Sequence, residues 1–86
     1  DPEEQAVSRE LASRVADAVV SFADTLDKER DQVLFFERIA SDEPSSLADL
    51  GRRFGVSRER ARQIEARILP RFREHLRQAV GFDAVA

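Results

Sequence analysis

Four residues, Phe54-Gly55-Val56-Ser57, constrain this chain most. They separate two runs of helical pattern. Glycine takes positive φ without a steric penalty, so Gly55 can end the first run as a left-handed cap. Ser57 is of the type that caps the next helix. In the first run Leu47, Leu50 and Phe54 share an inward face, and Ser46 followed by Asp49 resembles a capping box. In the second run Ala61, Ile64, Ile68 and Leu69 form the inner face, with Val56 filling the corner. Ala48 and Gly51 are small enough to let the two helices approach closely. Two short helices joined by so tight a turn make a helix-turn-helix.

The rest of the chain also reads as helix. Residues 3–25 lack Gly and Pro, and Pro2 with Glu3 and Glu4 suits a first turn. Leu11, Val15, Ala18, Val19 and Phe22 recur at helical spacing and predict one buried stripe. A second helix is expected from Lys28 to Ala40, with Asp27 as N-cap and an apolar face of Val33, Leu34, Phe35, Phe36 and Ile39. Phe35 and Phe36 are adjacent, so both cannot face one core squarely and one is left outside. Ser41 to Ser46, with Pro44, is a polar loop. Pro70 is expected to kink the fourth helix or to start a new one. Arg71 to Val80 is helical in composition, Gly81 closes it, and residues 82–86 form a frayed tail. The expected fold is all-α, a bundle of four to five helices containing the helix-turn-helix.

Composition narrows the chemistry. The 86 residues fit one small domain, and 42% hydrophobic with 36% charged residues argues against general disorder. Without cysteine there is no disulfide framework and no thiolate metal site. The single His75 cannot form a ligand cluster and reads as a surface or helix-end residue. No metal, no cofactor and no catalytic activity are expected, because no nucleophile–base pair or phosphate loop is present. No run of residues is long and apolar enough to span a membrane, and no signal-peptide pattern opens the chain, so a cytoplasmic location is expected. The start at Asp1 suggests a piece of a longer protein.

The net charge of −3 hides a strong asymmetry. Residues 1–50 hold 13 acidic and 5 basic residues, whereas residues 51–78 hold 9 arginines and 3 glutamates. A basic half beside an acidic half is a nucleic-acid signature. Thirteen of the 14 cations are arginine, whose planar fork matches phosphate and guanine. On the helix after Ser57, Arg58, Glu59, Arg62 and Gln63 occupy the outer face near the N-terminus, where a recognition helix meets base edges. Arginine addresses guanine, glutamate the cytosine amino group, and glutamine adenine. Arg52, Arg53, Arg60 and Arg67 can reach phosphates on either side, and Ser57 with the helix N-terminus offers N–H groups to another. The alternative, a solvated helix laced with ion pairs, is disfavoured by the like-charged Arg58–Arg62 pair at i, i+4.

These residues also carry a resemblance. Ser57-Arg-Glu-Arg-Ala-Arg-Gln-Ile-Glu-Ala-Arg67 resembles region 4.2 of bacterial sigma factors of the sigma-70 family, and Ser46 to Val56 is similar to the first helix and turn of that region. Leu26-Asp-Lys-Glu-Arg-Asp-Gln-Val-Leu34 resembles region 4.1. The Leu26–Leu47 spacing is most like that of heat-shock-type alternative sigma factors, and Pro2-Glu-Glu-Gln5 resembles the linker before region 4. The likeness covers residues 2–77. It implies a linker helix at 1–25, a region 4 helix-turn-helix domain at 26–80 and a tail at 81–86.

The resemblance further implies recognition of the promoter −35 element, with Arg58, Glu59 and Gln63 reading bases. Arg62 and Arg67 match positions used for backbone or activator contacts, Arg62 being able to reach a base as well. It implies docking on the β-flap of RNA polymerase through an apolar groove, for which Phe36, Ile39 and Leu50 are candidates, with core packing as the alternative for each. Anti-sigma factors and activators are partners of the same kind. Pro70, where the family has a basic residue, and the Phe35-Phe36 pair depart from the pattern. Two other readings are a module that binds a regulator, and an autonomous helix-turn-helix regulator. The latter needs a dimer. No dedicated dimerisation helix is visible, so a monomer is expected in isolation.

Overall fold

Helix α1 spans Pro2–Ala23, α2 Glu29–Leu34, α3 Leu47–Phe54 and α4 Arg58–Val80, with a π-helical turn at Phe35–Ile39 continuing α2. These elements come from a computed structural model that describes residues 2–81, with side chains from residue 8 onward. The side chains of Glu3 and Glu4 and the tail at 82–86 lie outside the described residues. The fold is all-α, as expected, with no strand among the described residues.

Among the described side chains of α1, those that are buried lie in its second half. Ala18, Phe22 and Ala23 are in the core, but Leu11 and Val15 are 41% and 37% exposed. The predicted stripe is therefore shorter than its periodicity. Leu11 lies beside Val80, at the end of α4, away from the cluster in which Phe22 and Ala23 are buried. α1 ends where the Thr25 hydroxyl donates to the Phe22 carbonyl at 2.7 Å. Gln32 then donates from Nε2 to the Leu26 carbonyl at 2.8 Å, closing the connection to α2.

α2 differs from the single helix expected over Lys28 to Ala40. Lys28, in an extended conformation, precedes the helix and makes no side-chain cap. Asp27 therefore does not cap it; Glu29 and Asp31 supply negative charge to the first turn instead. At Phe35 the ladder widens, and the Ala40 N–H bonds the Phe35 carbonyl five residues back at 2.8 Å. The two adjacent aromatics part as predicted: Phe35 is 0% exposed and Phe36 46%.

Phe35 sits at the centre of an aromatic cluster. Its ring centroid is 5.1 Å from Phe22 of α1 and 4.8 Å from Phe72 of α4, edge-on to the latter. Such tilted arrangements suit the ring quadrupoles. Leu26, Leu34, Leu50, Ile64 and Ile68 complete the core. The Arg71 guanidinium lies 5.8 Å from the Phe22 centroid. His75 corrects its reading as a surface or helix-end residue. It lies within α4, partly buried, with Nε2 2.8 Å from the Ser21 hydroxyl and its ring 5.5 Å from Phe22. It thus ties α4 to α1.

Pro70 does not end α4, which runs unbroken from Arg58 to Val80. A proline removes the donor to the carbonyl four residues back. Here that is Ala66, and both Ala66 and Pro70 are exposed. The carbonyl that loses this donor therefore lies on an exposed part of the helix, where water can satisfy it.

Candidate nucleic-acid interface

The turn between α3 and α4 is built as its residues dictate. Gly55 is left-handed, at φ 70° and ψ 30°. The Val56 N–H bonds the Gly51 carbonyl at 2.8 Å. Ser46 and Ser57 both act as N-caps, their hydroxyl oxygens accepting from the N–H of Asp49 and of Arg60, each at 3.0 Å. Gly51 is where the helices come closest. A Cβ placed there would lie 2.8 Å from the Val56 carbonyl oxygen and 3.1 Å from that of Ser57. Ala61, Ile64 and Ile68 are buried against this base. The recognition helix is therefore held by backbone packing at its first turn and by apolar side chains below.

Arg58, Glu59, Arg62 and Gln63 all project outward at the start of α4 and are exposed. Arg58 has no hydrogen-bond or ion-pair partner among the described residues. Arg62 grips Glu59, with Nε 2.9 Å from Oε2 and Nη2 2.6 Å from Oε1. That hydrogen bonding is the main reason the Glu59 carboxyl lies below its ordinary pKa; the Arg62 charge, a hydrogen bond with Gln63 and the Arg58 charge add to it. Arg60 reaches the Gln63 amide oxygen at 3.4 Å.

The residues expected from sequence to contact phosphate are less uniform. Arg60 and Ser57 flank the recognition face, with the Ser57 oxygen engaged as cap. Arg52 pairs with Asp49 on its own helix. Arg53 is committed to Glu37 through two bonds of 2.5 and 2.7 Å. Arg67 stands apart, 3.9 Å from Asp31. Of the three residues assigned to polymerase contact, Phe36 is exposed and Ile39 partly buried. Leu50 is 0% exposed and belongs to the core, because α3 turns it under α4; it offers no surface for a partner.

Two struts were not visible in the sequence. Arg38 donates from Nε to Glu65 of α4 at 2.5 Å and from Nη1 to the Ser45 carbonyl at 3.1 Å. Glu37 accepts from the Ser45 hydroxyl at 3.3 Å besides binding Arg53. Together they fasten the 40–46 loop and fix both helices of the motif to the π-helical turn. The Glu37 carboxyl is lowered from its ordinary 4.5, first by the Arg53 hydrogen bond and then by the Arg53 charge, against opposing desolvation. A lowered folded-state pKa gives stability that is present above the ordinary value and lost as pH falls through the lowered one. Thermal unfolding followed from neutral pH to below 4.5 should therefore show a smaller acid loss in Glu37→Gln than in the parent. Equal slopes would show that the strut does not contribute.

A short helix, a left-handed glycine turn and a second helix with an arginine-rich outer N-terminus define a DNA-binding helix-turn-helix domain. The sequence model of the family described as "Sigma-70, region 4" matches residues 24–74, and the chain belongs to that family. It is 43% identical over 56 residues to the RNA polymerase sigma-C factor of a Nostoc species, covering 65% of this chain and 14% of that protein. It is 36% identical over 67 residues to the RNA polymerase sigma factor RpoH of Caulobacter vibrioides, covering 78% of this chain and 21% of that protein. The RpoH of Zymomonas mobilis is 37% identical over 60 residues, covering 67% and 20%. The RpoH-type matches agree with the likeness to heat-shock-type sigma factors. The chain thus spans about a fifth or less of the relatives it matches. No solved structure matches it. Among the described residues no helix is long and apolar enough to cross a membrane.

Proposed function

We propose that this chain is the promoter −35 recognition domain of an RNA polymerase sigma factor, a non-enzymatic, cytoplasmic role in transcription initiation. The observation that carries the reading is the exposed N-terminal face of α4, seated on the Gly51–Val56 contact. In this reading Arg58 addresses guanine, Glu59 a cytosine amino group, and Gln63 a further base, with Arg62 beside them. Arg60, Arg52, Arg67 and the Ser57 cap region face phosphates. Arg53 contributes only by yielding Glu37. Residues 26–80 form the region 4 unit, preceded by the linker helix 1–25, whose last turns share its core.

Docking on the polymerase β-flap falls to Phe36 and Ile39. A separate groove of about 280 Å³ between α2 and α3, where Val33 and Phe54 lie among the charged Glu29, Arg30 and Arg53, is a second candidate surface for a partner in this reading. Activators and anti-sigma-type regulators are further partners of this reading, and the free chain is a monomer. The acidic first half repels DNA, so the isolated chain binds weakly and depends on the polymerase to hold it there.

The test is fluorescence anisotropy at low salt on duplexes with a −35-like or a scrambled sequence. The parent should prefer the former. Arg58→Ala should reduce that preference by roughly tenfold, the loss of one bidentate base contact, with little change on scrambled DNA. Equal binding of both duplexes by the parent would overturn the reading.

A further inference from the structure

Glu59 presents a problem on a DNA-reading face. It is 59% exposed, and phosphates would line any groove that receives it. Glu65, the next glutamate along α4, is turned inward to Arg38. An unneutralised carboxylate loses water on entering the groove and meets like charge, and the lower dielectric there raises both costs.

Arg62 answers this cost. One turn along α4, it donates to both carboxylate oxygens: Nε is 3.1 Å from Oε1 and 2.9 Å from Oε2, and Nη2 is 2.6 Å from Oε1. In free solution such an exposed i, i+3 pair adds little to stability, so its value lies elsewhere. An ionised carboxylate has about four acceptor sites. Arg62 brings two N–H groups, its single Nε–H shared between the oxygens and Nη2–H on Oε1, and Gln63 hydrogen-bonds the same carboxylate. One site is left, and Oε2, which holds only the shared Nε–H of Arg62, is the oxygen open to a further donor.

We propose that Arg62 is a positioning residue for Glu59 rather than an independent reader of bases or phosphates. It neutralises the carboxylate and fixes its orientation, so that Oε2 accepts one hydrogen bond from a cytosine amino group in the major groove. The fork–carboxylate unit, not either side chain alone, then sets the preference at one base pair. This inference rests on the −35 reading above and deepens it.

The experiment uses this chain on −35-like duplexes that carry each of the four base pairs at every position in turn. Glu59→Ala locates the pair that Glu59 reads, as the position where its discrimination relaxes. Arg62→Ala should relax discrimination at the same position, by roughly tenfold, and the double variant should lose no more than either single one. Arg62→Lys keeps the charge but not the fork, so it should recover overall affinity without recovering the base preference. The proposal is overturned if Arg62→Ala weakens all four duplexes by one factor that multiplies with the effect of Glu59→Ala, as a separate phosphate contact would. It also fails, with the −35 reading intact, if Glu59→Ala relaxes no position while the parent still prefers the −35-like duplex. If the parent shows no preference at all, both fall together.

Discussion

Replacing Phe35 by alanine should lower stability by about 3–5 kcal/mol, the cost of deleting a fully buried aromatic ring. Phe35 is the hub through which three segments meet, lying against Phe22 from α1 and Phe72 from α4. A domain of this size is held by roughly 5–15 kcal/mol, so the substitution removes a large share of the total. Neighbouring rings cannot all collapse into the gap, because Phe22 and Phe72 are themselves 5.2 Å apart and tilted against each other. The control stands one residue away. Phe36, 46% exposed on the far side of the π-helical turn, should tolerate alanine within about 1 kcal/mol. Urea unfolding followed by far-UV circular dichroism measures both, since the chain has no Trp or Tyr for fluorescence. Comparable losses from the two variants would contradict the split the turn imposes.

The parts legible from sequence were those fixed by local chemistry. Gly55 announces a left-handed cap, and Ser46 and Ser57 announce N-caps, because each acts on backbone groups within three residues. The inner and outer faces of α4, and with them the recognition face, follow from helical period alone. The struts were not legible. Glu37 and Arg53 are 16 residues apart, Arg38 and Glu65 27, and spacing along a chain carries no signal for such pairs. Periodicity also shows which face of a helix is apolar but not how far its cover extends, so it places Leu11 and Val15 inside although the fold leaves both exposed. The π-helical turn escaped for a related reason. Its widened ladder accompanies the burial of Phe35 in the core, a tertiary feature, whereas local propensity favours a regular helix from Lys28 onward. His75 likewise reads as peripheral in sequence, because its partner Ser21 is 54 residues away.

Gly51→Ala should test the motif itself, and propensity and packing predict opposite signs. On propensity alone, alanine in place of a helical glycine would stabilise α3 by about 1 kcal/mol. Against that stands the new Cβ, 2.8 Å from the Val56 carbonyl oxygen and 3.1 Å from that of Ser57. Both are backbone atoms in the turn, so neither can rotate away as a side chain would. Overpacking of this kind costs about 1–3 kcal/mol, and the net change should be a loss. Relief requires the start of α4 to move off α3, which carries Arg58 and Glu59 with it. Discrimination between −35-like and scrambled duplexes should therefore fall further than the unfolding free energy alone would explain, even where the variant remains folded. Gly55→Ala separates the two kinds of glycine requirement. Nothing lies within 4 Å of a Cβ there, but φ is +70°, so its cost is backbone strain of about 1–2 kcal/mol without a collision between the helices. If Gly51→Ala raised stability and left discrimination unchanged, close approach at Gly51 would not be what aims the recognition helix. The Ser57 cap and the Arg38–Glu65 strut would then have to hold its first turn in place.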